Sequence, residues 1–122
     1  MSEKQKLLIV DDSELNRDIL KEILGSSYDY LEAENGTQAI QILEVHPEID
    51  LMLLDINMPQ MNGFQVLEHM RELQWIDEIP VVMISSEESV EIMRKAYDLG
   101  ITDYISRPFD AVIVKKRVQN TL

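Results

Sequence analysis

Five short strand-like runs, each followed by an amphipathic helical stretch, constrain this 122-residue chain more than any other feature. The runs lie at 7–10, 28–33, 50–54, 80–84 and 103–106. Leu7-Leu8-Ile9-Val10 and Leu51-Met52-Leu53-Leu54 are apolar at every position. A strand wetted on one face alternates apolar and polar residues; one buried on both faces does not, and such strands belong to parallel sheets. Helical spacing fills the intervals. Leu15, Ile19, Ile23 and Leu24 mark one face of 13–24, with Gly25 as a stop. Ala39, Ile40 and Leu43 mark 36–45; Phe64, Leu67, Met70 and Leu73 mark 63–73. Val90, Met93, Ala96 and Leu99 mark 87–99, closed by Gly100, and Ala111, Val114, Val118 and Leu122 mark 110–122. Five βα units with short connections predict a single doubly wound α/β domain with helices on both faces of a parallel sheet.

Open sheets of this kind bind ligands beyond the carboxyl ends of their strands. The residues just past each run are therefore informative. Asp11 and Asp12 come after the first, the turn Glu34-Asn35-Gly36 after the second, Asp55 after the third, Ser85-Ser86 after the fourth, and Arg107-Pro108 after the fifth. Three acids, a hydroxyl and a cation thus collect on one rim. A carboxylate leaving a buried strand is costly unless water, hydrogen bonds or a cation compensates it. The set suits Mg²⁺, which takes one or two carboxylates and leaves places for phosphate oxygens. A carboxylate can also act as a nucleophile and form an aspartyl-phosphate, with a hydroxyl and a cation holding the equatorial oxygens.

Plainer readings stand beside these. Asp11 and Asp12 could cap the helix starting near Ser13. Asn62-Gly63 reads as a helix-start turn whose glycine supplies backbone freedom. Ser85 alone would be a turn residue, and Arg107 alone a surface cation. Met52, Met70, Met83 and Met93 read as core, Met58 and Met61 as cover over Asp55, and Trp75 as packing on the end of the third helix. His46 and His69 read as surface residues, and Lys115, Lys116 and Arg117 as a solvated face.

The net charge of −12 disfavours direct nucleic-acid or anionic-membrane binding. No apolar run approaches the ~20 residues of a membrane span. The absence of cysteine and of an apolar leader points to a cytoplasmic protein. The last helical pattern has no stop signal before Leu122, which suggests either a frayed end or a domain cut from a longer protein with a C-terminal output domain.

Asp11-Asp12, Asp55-Ile-Asn-Met-Pro-Gln-Met-Asn-Gly63, Ser85 and Tyr104-Ile-Ser-Arg-Pro-Phe109 together resemble the response-regulator receiver domains of two-component signalling, the CheY-like family. The resemblance covers nearly the whole chain. It implies a flavodoxin-like (βα)₅ sandwich with strand order 2-1-3-4-5. It implies a signalling phosphoacceptor, not an enzyme with an external substrate. Asp55 would accept the phosphoryl group from a histidine kinase or phosphotransfer protein. Asp11, Asp12, Asp55 and the Asn57 backbone carbonyl would hold Mg²⁺, or Mn²⁺ in its place, Asp11 largely through water. Ser85 and Arg107 would bind phosphoryl oxygens, Ser85 and Tyr104 would form the switch, and Asn57 and Glu87 would tune dephosphorylation. The bond before Pro108 would be cis. Partners, or a second copy, would meet the face formed by the fourth helix, fifth strand and fifth helix, including Arg94, Lys95, Ile101 and Tyr104.

One position departs from the pattern: receivers carry lysine before this proline, and here stands Arg107. Arginine keeps the charge but is longer, planar and forked. This leaves two readings: a competent phosphoacceptor, or a pseudo-receiver locked by Arg107 that works through phosphorylation-independent contacts. A phosphohydrolase of the haloacid-dehalogenase type would want an acid two residues after the nucleophile, where this chain has Asn57.

Overall fold

The computed structural model describes residues 4–86 and 89–122. The strands are β1 (Gln5–Val10), β2 (Tyr28–Ala33), β3 (Leu51–Asp55), β4 (Val81–Ser85) and β5 (Asp103–Ser106). The helices are α1 (Glu14–Leu24), α2 (Gly36–Val45), α3 (Gly63–Glu72), α4 (Val90–Asp98) and α5 (Ala111–Thr121). All neighbouring strands pair in parallel, in the order β2-β1-β3-β4-β5. The predicted sandwich and strand order are the observed ones. Gly25 (φ 82°) and Gly100 (φ 107°) end α1 and α4 in backbone conformations that L-residues avoid.

Alternation along the strands divides the core into two layers. Leu8, Val10, Met52, Leu54, Val81 and Met83 face α2, α3 and α4, meeting Ala39, Leu43, Leu67, Met70 and Ala96. Leu7, Ile9, Leu51, Leu53, Val82 and Ile84 face α1 and α5, meeting Leu20, Leu24, Val114 and Val118. Burying each such Val, Leu, Ile or Met side chain contributes about 1.5–3 kcal/mol. Trp75 lies in a short 3₁₀ turn after α3, half-buried against the first layer. Among the described residues no helix is long and apolar enough to cross a membrane.

Two apolar stripes are displaced from expectation. Leu15 is 69% exposed and Val90 68% exposed, although both mark the predicted helical faces. Each sits in a first helical turn at the carboxyl rim, where the strands have ended. The buried residues of α1 are Leu20, which the expected face omitted, and Leu24, which it included. The sequence pattern starts the fourth helix at residue 87; the helix runs from Val90, with Ser89 as its cap accepting the Ile92 N–H.

The loop between β3 and α3 is shaped by close approach. Asn62 and Gln65 form a reciprocal capping box, as a helix-start turn requires. Gly63 is needed for space rather than for backbone freedom. A Cβ there would lie 2.6 Å from the Ile56 Cα and 2.7 Å from the Asp55 carbonyl oxygen, both backbone atoms. The positive φ in this loop falls on Gln60 (65°) instead. Gly63→Ala should therefore cost about 1–3 kcal/mol of stability, as overpacking does. Urea unfolding measures this, and an unchanged midpoint would refute the close-approach account.

Candidate functional site

Strands β1 and β3 are neighbours, with Val10 opposite Leu54. Asp11 and Asp55 therefore leave the sheet side by side, and neither has any exposed surface. Asp12, the next residue, is exposed. One carboxylate oxygen from each of the three lies within 4.8 Å of the others. Ser85 ends β4, with 1% of its surface exposed. Arg107 follows β5, and its backbone N–H donates to the Ser85 carbonyl at 3.1 Å. Asp11, Asp12, Asp55, Ser85 and Arg107 thus stand at the carboxyl ends of four strands, because the sheet order places β3 between β1 and β4.

Each carboxylate is held differently. The Asp11 Oδ1 accepts the Ser13 N–H at 2.9 Å, and its Oδ2 accepts the Arg107 Nη2 at 2.8 Å. Asp11 does not cap α1; the Ser13 hydroxyl does, accepting the Asn16 N–H. The Asp55 Oδ1 accepts the Asn57 N–H at 3.0 Å. The Asp55 Oδ2 lies 3.0 Å from the same Arg107 Nη2. That contact is an ion pair without hydrogen-bond alignment, so among the described residues this buried oxygen has no hydrogen-bond partner, and neither has the buried Arg107 Nε. The Arg107–Pro108 peptide is cis.

Burial is the main cause that raises the Asp11 carboxyl above its ordinary pKa; Arg107 opposes it. Burial likewise raises Asp55, and the neighbouring Asp11 charge raises it further. Arg107 pairs with two of the three clustered carboxylates, so the pocket keeps excess negative charge when all ionise. This oxygen-rich donor set with an underbonded buried oxygen fits a hard divalent cation.

The outer residues fall into place around this centre. Tyr104 is partly buried, with the Arg117 guanidinium 5.5 Å from its ring centroid. Arg117 also bonds Asp103 at 2.6 Å, so it is engaged with β5, whereas Lys115 and Lys116 are exposed as expected. Met58 is buried in the core, and Met61 packs on Gly36 at the start of α2. His46 is not isolated: its Nδ1 lies 2.8 Å from the Glu48 Oε1, while His69 is exposed. Glu87 lies outside the described residues. One contributor was invisible in the sequence. The Arg17 Nη1 donates to the Asp11 carbonyl oxygen at 2.6 Å, and its Nε to the Glu32 Oε1 at 3.0 Å. An arginine on the polar side of a predicted helix carries no signal of such a partner.

The response regulator receiver domain family matches residues 7–119, and the chain belongs to it. Over 119 residues it is 34% identical to the chemotaxis protein CheY1 of Helicobacter pylori, covering 96% of each chain. The structure of the chemotaxis protein CheY4 of Vibrio cholerae superposes with a TM-score of 0.90 at 27% identity, covering 98% of this chain and 100% of that one. A probable cyclic di-GMP phosphodiesterase of Vibrio cholerae is 34% identical over 116 residues; these are 95% of this chain but 26% of that protein. The chain is therefore a CheY-like phosphoacceptor receiver domain, a component of signalling.

The raised carboxyls fix a sign for pH dependence. The folded state holds protons more tightly than the unfolded state in the window from 3.8 up to the raised folded values. Stability of the ion-free domain from these two groups therefore falls as pH rises through that window. Without divalent ions, Asp55→Asn should be more stable than wild type at neutral pH, with the difference shrinking as pH falls toward 3.8. Mg²⁺ should stabilise the wild type selectively. Urea unfolding across pH, with and without Mg²⁺, measures this; coincident curves for the two proteins would refute it.

Proposed function

We propose that Asp55 is the phosphoacceptor, receiving the phosphoryl group from a histidine kinase or phosphotransfer protein. The supporting observation is the Asp55 Oδ2: buried, without a hydrogen-bond partner among the described residues, and 3.0 Å from a guanidinium. An Asp55 carboxylate oxygen attacks phosphorus, a P–O bond forms, and the P–N bond to the donor imidazole breaks. The imidazole leaves with the bonding electrons and is protonated from water. Mg²⁺, or Mn²⁺, would neutralise charge between the carboxylates and the phosphoryl oxygens during transfer. Asp11, Asp12, Asp55 and the Asn57 carbonyl would hold it. The Ser85 hydroxyl and Arg107 would take phosphoryl oxygens, which concentrate the charge of the transition state.

In this reading the output is a shift between two conformations of Ser85 and Tyr104, not turnover of an external substrate. Asn57 lacks the acidic proton that a haloacid-dehalogenase-type phosphohydrolase needs two residues after its nucleophile. Asn57 and Glu87 would set the lifetime of the phosphorylated state. Residues 1–122 would form one receiver domain in the cytoplasm. A homodimer through α4, β5 and α5, or a C-terminal output domain, would receive the signal. The acidic chain would contact neither nucleic acid nor membrane directly.

A second reading has a specific observation behind it. Arg107 already bridges Asp11 and Asp55 through a single nitrogen. A guanidinium locked there would make a pseudo-receiver acting by constitutive contacts. Incubation with acetyl phosphate and Mg²⁺ separates the two. The expected result is a gain of one phosphoryl group in the intact mass, dependent on Mg²⁺ and absent in Asp55→Asn. No gain at any donor concentration would replace the proposed function with the pseudo-receiver.

A further inference from the structure

We infer that Arg17 is a positioning residue for the acidic pocket: anchored by Glu32 on β2, it locks the peptide between Asp11 and Asp12 and so aims the Asp12 carboxylate. This rests on the reading of Asp12 as a Mg²⁺ ligand and adds to that reading the device that orients it. Asp12 is exposed, and among the described residues no hydrogen bond holds its carboxylate. Its backbone therefore sets where the side chain leaves the chain, and with it which rotamers the carboxylate can take. The peptide preceding Asp12 carries the Asp11 carbonyl, which lies beyond the last paired residue of β1, Val10. Past that point, among the described residues, no ladder bond from a neighbouring strand fixes the carbonyl. The Arg17 Nη1 fills the gap with a charge-assisted bond of 2.6 Å. On the other side of Asp11, its N–H donates to the Ala33 carbonyl at 3.0 Å. The residue is thus clamped at both ends, by β2 directly and by β2 through Arg17.

The clamp is itself braced. The Arg17 side chain is 12% exposed, and its Nε meets the Glu32 Oε1 at 3.0 Å. The other Glu32 oxygen accepts the Lys21 ammonium at 2.8 Å. Glu32 lies opposite Ile9 in the β1–β2 register, two residues before the carbonyl being held. A planar fork with two donors in fixed relation spans this distance; an ammonium, a single point of charge, does not reproduce both contacts. Outer partners that orient metal ligands are worth about 10–100-fold in affinity when lost.

The inference separates from simple electrostatics by sign. A cation beside an acidic pocket repels Mg²⁺, so removing the Arg17 charge by Coulomb's law alone should tighten Mg²⁺ binding. Removing a positioning residue should weaken it. Isothermal titration of Mg²⁺ into the metal-free domain tests this directly, with no phosphodonor present. Arg17→Met should weaken binding by about tenfold. Arg17→Lys keeps the charge but not the fork and should weaken it by about threefold. Equal or tighter binding by Arg17→Met, or an unchanged affinity in Arg17→Lys, would overturn the inference while leaving the magnesium reading intact. If Arg17→Met fails to fold, as judged by circular dichroism, Arg17→Lys alone decides. A wild-type domain that takes up no Mg²⁺ would instead sink the magnesium reading, and this inference with it.

Discussion

Two carboxylates without solvent access, side by side at the ends of adjacent parallel strands, are the constraint around which the carboxyl rim is organised. Asp11 and Asp55 destabilise each other and are both penalised by burial. Asp12 adds a third charge beside them, and the remaining close contacts supply compensation. Backbone N–H groups two residues onward, from Ser13 and Asn57, satisfy one oxygen of each. A guanidinium from beyond β5 reaches the other two. What it leaves uncompensated is the affinity of the pocket for cations. The unfavourable electrostatics of the ion-free state and the capacity to bind a hard cation are one property seen from two sides.

The sheet makes this crowding possible, and the helices keep it in register. Each of the five helices starts on a side-chain cap: Ser13, Asn35, Asn62, Ser89 and Asp110 all accept a backbone N–H from the first turn. Caps of this kind are worth about 0.5–2 kcal/mol each. They also fix where each rim loop ends. The loop after β3 folds back on its own strand, since Gly63 rests against the backbone of Asp55 and Ile56. The Gly63 N–H donates to the Ile56 carbonyl at 3.2 Å, which closes the loop that carries Asn57.

The sequence exposed the frame more fully than the fittings. Continuous apolar runs such as Leu51 to Leu54 placed the strands within two residues, because a strand buried on both faces has no polar position to blur its ends. Acids at strand exits marked the pocket for the same reason. Helical faces were harder to read. Leu15 and Val90 match the apolar spacing yet face solvent, because periodicity does not report where the sheet stops beneath a helix. The need for Gly63 lies in a contact with Ile56, which φ preferences do not reveal. The Arg17 and Glu32 pairing joins a helix to an edge strand, and ordinary surface charges look identical to it in a sequence. The cap of α1 shows the same limit: Asp11, Asp12 and Ser13 all suit that role, and only geometry selects Ser13.

The partnership of Arg107 with Asp11 spans 96 residues of chain. A polypeptide emerging from its amino end therefore presents both acids long before the cation that tempers them. While β5 is undocked, β1 and β3 can associate only by holding two like charges against each other or by keeping them protonated or wet. The last βα unit thus completes more than a sheet edge. Its arrival offsets part of a repulsion built into the first half of the molecule, so the rim gains most when its first and last βα units are both in place.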